Sequence, residues 1–491
     1  MAAPNVLGPN VLDQDAMVDL VRWAGGLTLA DVPEPVADGA KRRLLDLVAA
    51  ALAGTQADGV PELLRAVGAW GGRPVSSVIG RPEKTSVPHA VLLNATISRA
   101  LELDDVHEKA LLHPTVATAP IALAIAEQDA AQDGGGVDGA RLLTALVAAQ
   151  EVMCRLGLAP EYHVAGPKHR PRGWSFTYQC GALGGALVAA LLRGLDESRA
   201  LDALGNAYTA LAGNQQAIKE ATLAIRVQQG VTAQTAVQSA DLAALGITGP
   251  HEILEGEYGW LSYWHGGSYD RTVVVADLGS RWECAGASTK PYPVCRITHN
   301  AVGATLAATS GLAPGDIERI VVHVNSQESW DEVVHPLERR RTPASPMDAQ
   351  FSLPYVVALT AVRGSVTLAG LIDTAVRDPE ILALAARVEP VLDPGFDRAA
   401  GRVIPMPVTV DVHLAGGAVI TRRSEFPLGH PENPMGWDAV EAKVWDCAAW
   451  GSSPADREVV EELVAAVRGL ERDPAPGRLA GLLARAKAVP A

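Results

Sequence analysis

Between Asp15 and about Leu245, apolar residues recur at spacings of three and four with hardly a break. That much amphipathic helix in series leaves few solutions other than a packed helical domain. Residues 33–53 show the pattern: Leu44, Leu45, Leu47 and Val48 form a stripe behind the solvated Lys41-Arg42-Arg43, and Gly54 marks the end. Residues 196–211 behave in the same way. The chain is 48% hydrophobic but only 4% aromatic, and the excess is Ala, Val and Leu, so the helices are expected to pack tightly through small side chains. Gly181, Gly184 and Gly185 put three such residues within one turn and a half. The longest apolar tracts, 115–126 and 181–192, run about a dozen residues, short of the roughly 20 needed to span a bilayer, and read as buried core helices.

The character changes after about Asp270. Ile320, Val322 and Val324 alternate with Val321 and His323, and Val408, Val410, Val412 and Leu414 alternate with Thr409, Asp411 and His413, as half-buried strands do. Gly416-Gly417 followed by Val419, Ile420 and Thr421 reads as a hairpin turn and return strand. Residues 352–363 and 366–376 read as helices between these strands, and helical periodicity returns over 437–450 and 456–470. The expected fold is therefore mainly α: a large helical domain from residues 1–274, a smaller α+β domain over 275–425 inserted into it, and C-terminal helices from 426–491 returning to the first part.

Composition removes several function classes. A net charge of −15 argues against nucleic acid, whose binding rests on neutralising phosphates, yet leaves room for a locally basic pocket holding a small anion. The five cysteines (154, 180, 284, 295, 447) show neither CxxC spacing nor a paired framework, which fits a reducing cytoplasm without a zinc ribbon or disulfide scaffold. Residues 1–13 lack the basic start and apolar core of a signal peptide. Gly134–Gly136 lies in a polar loop with no preceding strand and no following GK, so it is not a phosphate cradle. The reading is thus of no nucleic acid, no membrane, no metal and no cofactor.

Four blocks carry chemistry. Lys290-Pro-Tyr-Pro-Val-Cys-Arg-Ile-Thr-His299 packs two cations, a thiol, a hydroxyl and an imidazole onto a segment that two prolines keep bent. Leu101-Glu-Leu-Asp-Asp-Val-His-Glu-Lys-Ala-Leu-Leu-His113-Pro-Thr sets Glu102, Asp104 and Asp105 just before two histidines. Pro114 opens the next helix, so His113 stands at its start, where the helix dipole disfavours an imidazolium and leaves a neutral base. Acidic neighbours are expected to raise the pKa of His107, unless it is a satisfied structural residue; six residues from His113, it suits a shared metal poorly. Lys219 lies in Gly213-Asn-Gln-Gln-Ala-Ile-Lys219-Glu, and Tyr355 in Asp348-Ala-Gln-Phe-Ser-Leu-Pro-Tyr355. Alone, each has an equally good bland reading, a solvated lysine and a core tyrosine bonded to backbone.

Together these blocks resemble the MmgE/PrpD family, which includes 2-methylcitrate dehydratase, cis-aconitate decarboxylase and iminodisuccinate epimerase. The marks run in order along nearly the whole chain: LELDDVH with HP (101–114), RGWSFTYQCGALGGA (172–186), Lys219 through GVTAQTAV to GITGP (219–250), KPYPVCRITH (290–299), AQFSLPYVVA (349–358) and GHPENPMGWDAVEAKV (429–444). The resemblance implies a helical domain built from both chain ends, a smaller lid domain between them, an active site in the intervening cleft, and a homodimer. It marks His113, Lys219, Lys290, Tyr355 and Asp105 as catalytic, and Asp104, Glu102, Arg296, His299, Ser175 and Cys295 as substrate-binding. In that scheme His113 moves a proton at carbon, Lys219, Lys290 and Arg296 hold carboxylates and absorb enolate-like charge, and Tyr355 donates to a leaving hydroxyl.

The sequence departs from the family pattern at several of these positions. Ser175 stands where a histidine is usual, Thr222 replaces another, Arg99 replaces the histidine before Ala-Leu, Glu102 and Val106 replace Asp and Thr, and one residue is inserted between Asp105 and His113. His107, His163 and His169 are the candidates to compensate. The expected activity is a cofactor-independent lyase, dehydratase or decarboxylase, on a small di- or tricarboxylate. The alternatives are an isomerase or specialised biosynthetic enzyme using the same base and cations, and a catalytically silent relative.

Overall fold

A computed structural model describes residues 14–131, 136–160, 173–324, 326–392 and 407–487. Its helices of nine residues or more are α1 (Ala16–Gly26), α2 (Glu34–Gly54), α3 (Val60–Trp70), α4 (Val87–Arg99), α5 (Pro114–Ala130), α6 (Gly139–Leu158), α7 (Phe176–Leu192), α8 (Glu197–Thr209), α9 (Ala224–Ala244), α10 (His299–Thr309), α11 (Leu353–Arg363), α12 (Trp437–Ala449), α13 (Arg457–Arg468) and α14 (Arg478–Ala486). The apolar α7 is buried on nearly every side by α5, α6, α8 and α9. Its glycines make this possible. A Cβ at Gly184 would overlap the side chain of Met153 on α6, and one at Gly185 would overlap Ala236 on α9 and Ile121 on α5.

A four-stranded mixed sheet is the second element of the architecture. Its strands β1 (Ile317–Val324), β2 (Val388–Leu392), β3 (Val408–Leu414) and β4 (Val419–Ser424) lie in the order β2-β1-β3-β4. The β3–β4 hairpin pairs antiparallel with Val412 opposite Ile420, and β1 pairs parallel with β2, Val322 opposite Pro390. α10 packs on β3 and β4, and α11 packs on α10. The expected alternation is visible in β3, whose Val408, Val410 and Val412 are buried while Thr409 and Asp411 are half-buried.

Buried apolar residues divide into two clusters. One gathers α1–α9 with Val274 and Cys284, and takes up α12–α14 from the far end of the chain; the other gathers the sheet, α10 and α11, with Ala217 and Ile225 joining it. The expected helix over 366–376 does not form as one element: it is a 3₁₀ turn at Leu368–Leu371 and a short helix at Asp373–Val376, broken where Thr367 and Ile372 take extended backbone. The strand β2 was not expected from its sequence. Among the described residues no helix is long and apolar enough to cross a membrane, and all five cysteines are buried and unpaired.

Candidate active site

Loops from both clusters close around a cavity of about 160 Å³. Its wall includes Arg99, Glu102, Glu108, His113, Ser175, Lys290, Cys295, Arg296 and Glu332, together with the apolar Val106, Leu111, Ile218, Ile297 and Phe351. The 101–113 loop joins α4 to α5, and its Val106 exchanges both backbone hydrogen bonds with Ser288. Gln350 clamps this loop to the next: its side-chain amide donates to the carbonyls of Leu101 and Pro293. Two non-glycine residues of the 101–113 loop, Glu102 (φ 54°) and Leu111 (φ 58°), adopt left-handed backbone, a strain that persists only where surrounding contacts over-determine it.

His113 immediately precedes α5, as expected, but its side chain does not cap the helix. Its Nδ1–H donates to the Asp105 carbonyl oxygen at 2.7 Å. Asp104 Oδ2 also lies 2.9 Å from Nδ1, yet has no hydrogen-bond donor of its own, so its effect on the ring is electrostatic. With Nδ1 protonated, the lone pair is on Nε2, which faces Arg99 Nη2 at 3.5 Å. Burial, reinforced by the Arg99 guanidinium, holds the imidazole pKa below its ordinary value against the pull of Asp104. His113 is therefore a neutral ring, as the sequence suggested, but the cause is desolvation and a neighbouring cation.

The charges around it are interlocked. Arg99 pairs with Glu102 and with Asp104 Oδ1 at 2.9 Å, and Lys290 Nζ lies 3.0 Å from Glu102 Oε2. Burial opposes ionisation of Asp104 and Glu102, but the cations outweigh it and hold both carboxyls below the usual range. Arg296 Nε donates to Glu108 Oε1 at 2.7 Å, and Nη1 donates to the Leu428 carbonyl at 2.9 Å; its buried Nη2 has no protein partner among the described residues. Glu108 is likewise held below its ordinary pKa, with Arg296 and the Ser288 hydroxyl overcoming burial.

The other expected site residues take different places. His299 does not line the cavity: its Nε2–H donates to the Val294 carbonyl and its Nδ1 accepts from Arg296 Nη1 at 3.2 Å, so it positions Arg296. Asp105 points into the helical core, where Thr115 donates to it and Arg43 lies 3.8 Å away; burial pushes its pKa up to about 7. Tyr355 is fully buried among the residues packed on the sheet, its hydroxyl facing the carbonyls of Gly370 and Ala375, and is absent from the cavity wall. Its hydroxyl is therefore not at the cavity, where the sequence reading has it donate to a leaving hydroxyl. Lys219 is exposed and reaches the Asp331 carbonyl at 3.3 Å, beside Glu332, while Gln215 and Ile218 of the same turn face the cavity.

Cys295 and Ser175 do line it. Burial raises the Cys295 thiol pKa well above its ordinary value, so it is no thiolate nucleophile. His107 is a satisfied structural ring: Nε2–H donates to the Glu283 carbonyl, Nδ1 accepts from the Ala110 N–H, and burial lowers its pKa in place of the expected rise. His163 and His169 lie outside the described residues.

Arg99, Glu108, Tyr178 and Glu332 are cavity residues that sequence reasoning left out. Arg99 was visible as a departure from the family pattern, and Glu108 follows His107 directly in the densest acidic block. Tyr178 falls inside the 172–186 block without being singled out there, and nothing in the sequence around Glu332 marks it. Among the described residues, no three His, Cys, Asp or Glu side chains converge as metal ligands.

Comparison with known proteins covers almost the whole chain. Residues 18–271 match the MmgE/PrpD N-terminal domain and residues 292–468 the MmgE/PrpD C-terminal domain. A cis-aconitate decarboxylase of Aspergillus terreus is 29% identical over 475 residues, covering 92% of this chain and 93% of its own. The Homo sapiens cis-aconitate decarboxylase is 26% identical over 457 residues, 91% and 90% of the two chains. A cis-aconitate decarboxylase-like protein of Aspergillus oryzae is 26% identical over 467 residues, 92% and 94% of the two chains.

Proposed function

The chain belongs to the MmgE/PrpD family, and from that premise we propose that it is a cofactor-independent lyase that removes CO2 from a small unsaturated polycarboxylate. The observation that carries the reading is His113: a buried neutral ring with its Nε2 lone pair at the cavity wall and Asp104 fixed behind Nδ1. Asp104 stabilises the imidazolium whenever Nε2 takes a proton.

In the proposed step the bond between carbon and the departing carboxylate breaks. Its electron pair moves through the adjacent C=C onto a second carboxylate; His113 Nε2, having first taken a proton from water, passes it to the carbon that gains density and returns to the neutral ring. Lys290 supplies the electron sink. Its ammonium has three N–H donors, of which Glu102 engages one, and a donor aimed at developing charge in a buried site typically contributes about 10²–10³-fold. Arg296, a cavity residue whose Nη2 has no protein partner among the described residues, is assigned to a substrate carboxylate.

Decarboxylation fits this wall better than dehydration. Removing a hydroxyl calls for an acid at the leaving oxygen; Tyr355, the residue expected to supply it, lies away from the cavity, and the hydroxyl of the cavity residue Tyr178 donates to the Ile225 carbonyl at 2.8 Å. The decarboxylase names of the relatives support the same choice. We carry the homodimer and the cytoplasmic location into this proposal, the former to be measured by light scattering of the purified protein.

The test is incubation of purified protein with cis-aconitate, 2-methylcitrate, citrate and iminodisuccinate-type acids, following CO2 release, ultraviolet absorbance and exchange of carbon-bound hydrogen with solvent. CO2 release supports the decarboxylase. Absorbance change without CO2 moves the assignment to dehydration, hydrogen exchange alone moves it to an isomerase, and silence with every acid overturns the lyase reading.

A further inference from the structure

A planar guanidinium carries five N–H donors in a fixed fork, so holding part of it sets the direction of the rest. In Arg296, Nε donates to Glu108 Oε1 at 2.7 Å, and Nη1 faces three acceptors: the Leu428 carbonyl at 2.9 Å, His299 Nδ1 at 3.2 Å and the Thr289 carbonyl at 3.4 Å. The two donors of Nη2 remain, buried and without a protein partner among the described residues. The side chain as a whole is buried and belongs to the cavity wall.

Two of the three Nη1 acceptors lie on the segments that join the buried clusters. The chain passes from the helical cluster to the sheet cluster between Cys284 and Val294, and returns between Ile420 and Met435. Thr289 is on the outward crossing and Leu428 on the return, and the two crossings are tied together where the Thr289 N–H donates to the Gly429 carbonyl at 3.1 Å. The return crossing is also closed on itself: the Gly429 N–H donates to the Asn433 carbonyl at 2.9 Å, the Asn433 N–H to the His430 carbonyl at 2.8 Å, and the Asn433 side-chain amide to the Phe426 carbonyl at 3.1 Å. Gly429 is the point of contact. Its φ is 87°, and a Cβ there would come 2.2 Å from the Thr289 carbonyl oxygen. Glycine allows both the left-handed turn and that approach. A larger residue must move either the Thr289 carbonyl or the loop that bears the Leu428 carbonyl, and either shift takes an acceptor from Arg296 Nη1.

We propose that Gly429 is a positioning residue for substrate binding: it lets the loop over residues 426–433 close on Thr289, and through the Leu428 and Thr289 carbonyls it fixes the Arg296 fork that holds a substrate carboxylate. The inference rests on the lyase reading for the identity of the ligand, and adds to it the element that orients its anchor. The block Gly429-His-Pro-Glu-Asn433, one of the marks of the family, thereby has a place at the site.

Binding and turnover are measured separately. Binding is followed by calorimetry with propane-1,2,3-tricarboxylate, the saturated counterpart of cis-aconitate, and turnover by CO2 release from cis-aconitate or whichever of the acids above the wild type consumes. Gly429→Ala is expected to weaken tricarboxylate binding and raise KM by about ten-fold, the loss typical of one hydrogen bond to a charged group, with kcat within about three-fold of the wild type. Asn433→Ala, at an exposed position, loosens the same loop from its far side and is expected to act in the same direction by about three-fold. Arg296→Lys keeps a charge beside Glu108 but has no fork to orient, so in that background Gly429→Ala is expected to add less than about two-fold.

A folded Gly429→Ala protein that binds the tricarboxylate as the wild type does overturns the positioning role and leaves the lyase standing; should that variant not fold, a folded Asn433→Ala protein with wild-type binding does the same. So does a fall in kcat with KM unmoved, or a Gly429→Ala effect undiminished beside Arg296→Lys. The expected binding pattern with no turnover of any acid overturns the lyase and keeps the positioning role. A wild type that neither binds the tricarboxylate nor turns over any of the acids overturns both.

Discussion

Asp104→Asn tests the relation between His113 and the carboxylate behind it. The exchange keeps the shape of the side chain and removes one charge 2.9 Å from His113 Nδ1. At that separation and an effective dielectric of about 20, a full charge pair is worth about 6 kcal/mol, and relaxation with water entry reduces the usable part to about 3 kcal/mol. If the imidazolium is the proton donor to carbon, kcat falls by about 10²-fold, each 1.4 kcal/mol being a factor of about ten. The direction of the pH effect is also fixed. Loss of the anion lowers the imidazolium pKa, so the alkaline limb of the kcat profile moves to lower pH. The assay is CO2 release on the turned-over acid from pH 5 to 9, with urea unfolding to establish that the variant is folded. A folded variant with kcat within three-fold of the wild type and an unmoved alkaline limb refutes the assignment of Asp104 and His113 as a working pair.

Three further outcomes follow from individual contacts. Lys290→Met leaves Glu102 buried with only Arg99 for a partner and should cost about 3 kcal/mol in urea unfolding, most of it recovered in the Lys290→Met/Glu102→Gln double variant; additive losses would show that the two side chains do not interact. Tyr355→Phe deprives two backbone carbonyls of their hydroxyl partner and should destabilise by about 1–2 kcal/mol with turnover unchanged, whereas a loss of turnover beyond about ten-fold in a stable variant would put the phenol in the reaction. Asp105, pushed up to about 7 from an ordinary value near 4, holds its proton more readily folded than unfolded. Its contribution is therefore complete below about pH 4 and lost as pH rises to about 7, so the stability of Asp105→Asn relative to wild type should rise across that interval; a difference flat with pH would show that Asp105 titrates normally.

The helices were legible because periodicity over ten or more residues is a strong signal and the core needs little beyond small apolar side chains. Residues 437–450 and 456–470 were read as helices and form α12 and α13 within a residue or two of each end. β2 was not legible. Val388-Glu-Pro-Val-Leu392 carries a proline, which argues against a strand, and it is tolerated because β2 lies at the sheet edge. At the candidate site, the sequence picked out loops that line one cavity but could not say which side chains of a loop turn inward. Asp104 and Asp105 are adjacent, yet one faces His113 and the other Thr115, a choice made by the left-handed turn at Glu102 and the start of α5. The pKa of His113 had the same origin: its direction was inferred from a helix start, while its main causes, burial and Arg99, depend on tertiary contacts.

The C-terminal helices have a direct connection to this geometry. Lys443 on α12 is buried, its ammonium donating to Asp46 Oδ1 on α2 at 2.6 Å and to the Leu103 carbonyl at 2.7 Å. Leu103 lies between the strained Glu102 and Asp104, so a residue 340 positions further along the chain fixes the backbone that aims both carboxylates. Arg43, three residues before Asp46 on α2, approaches Asp105 at 3.8 Å on the other side of the same loop. The loop is thus held from behind by cations of α2 and α12, and from the cavity side by Arg99 and Lys290. A loop carrying four carboxylates within seven residues would otherwise repel itself open. Both ends of the chain are needed in one helical core because the charges that hold the 101–113 loop come from both.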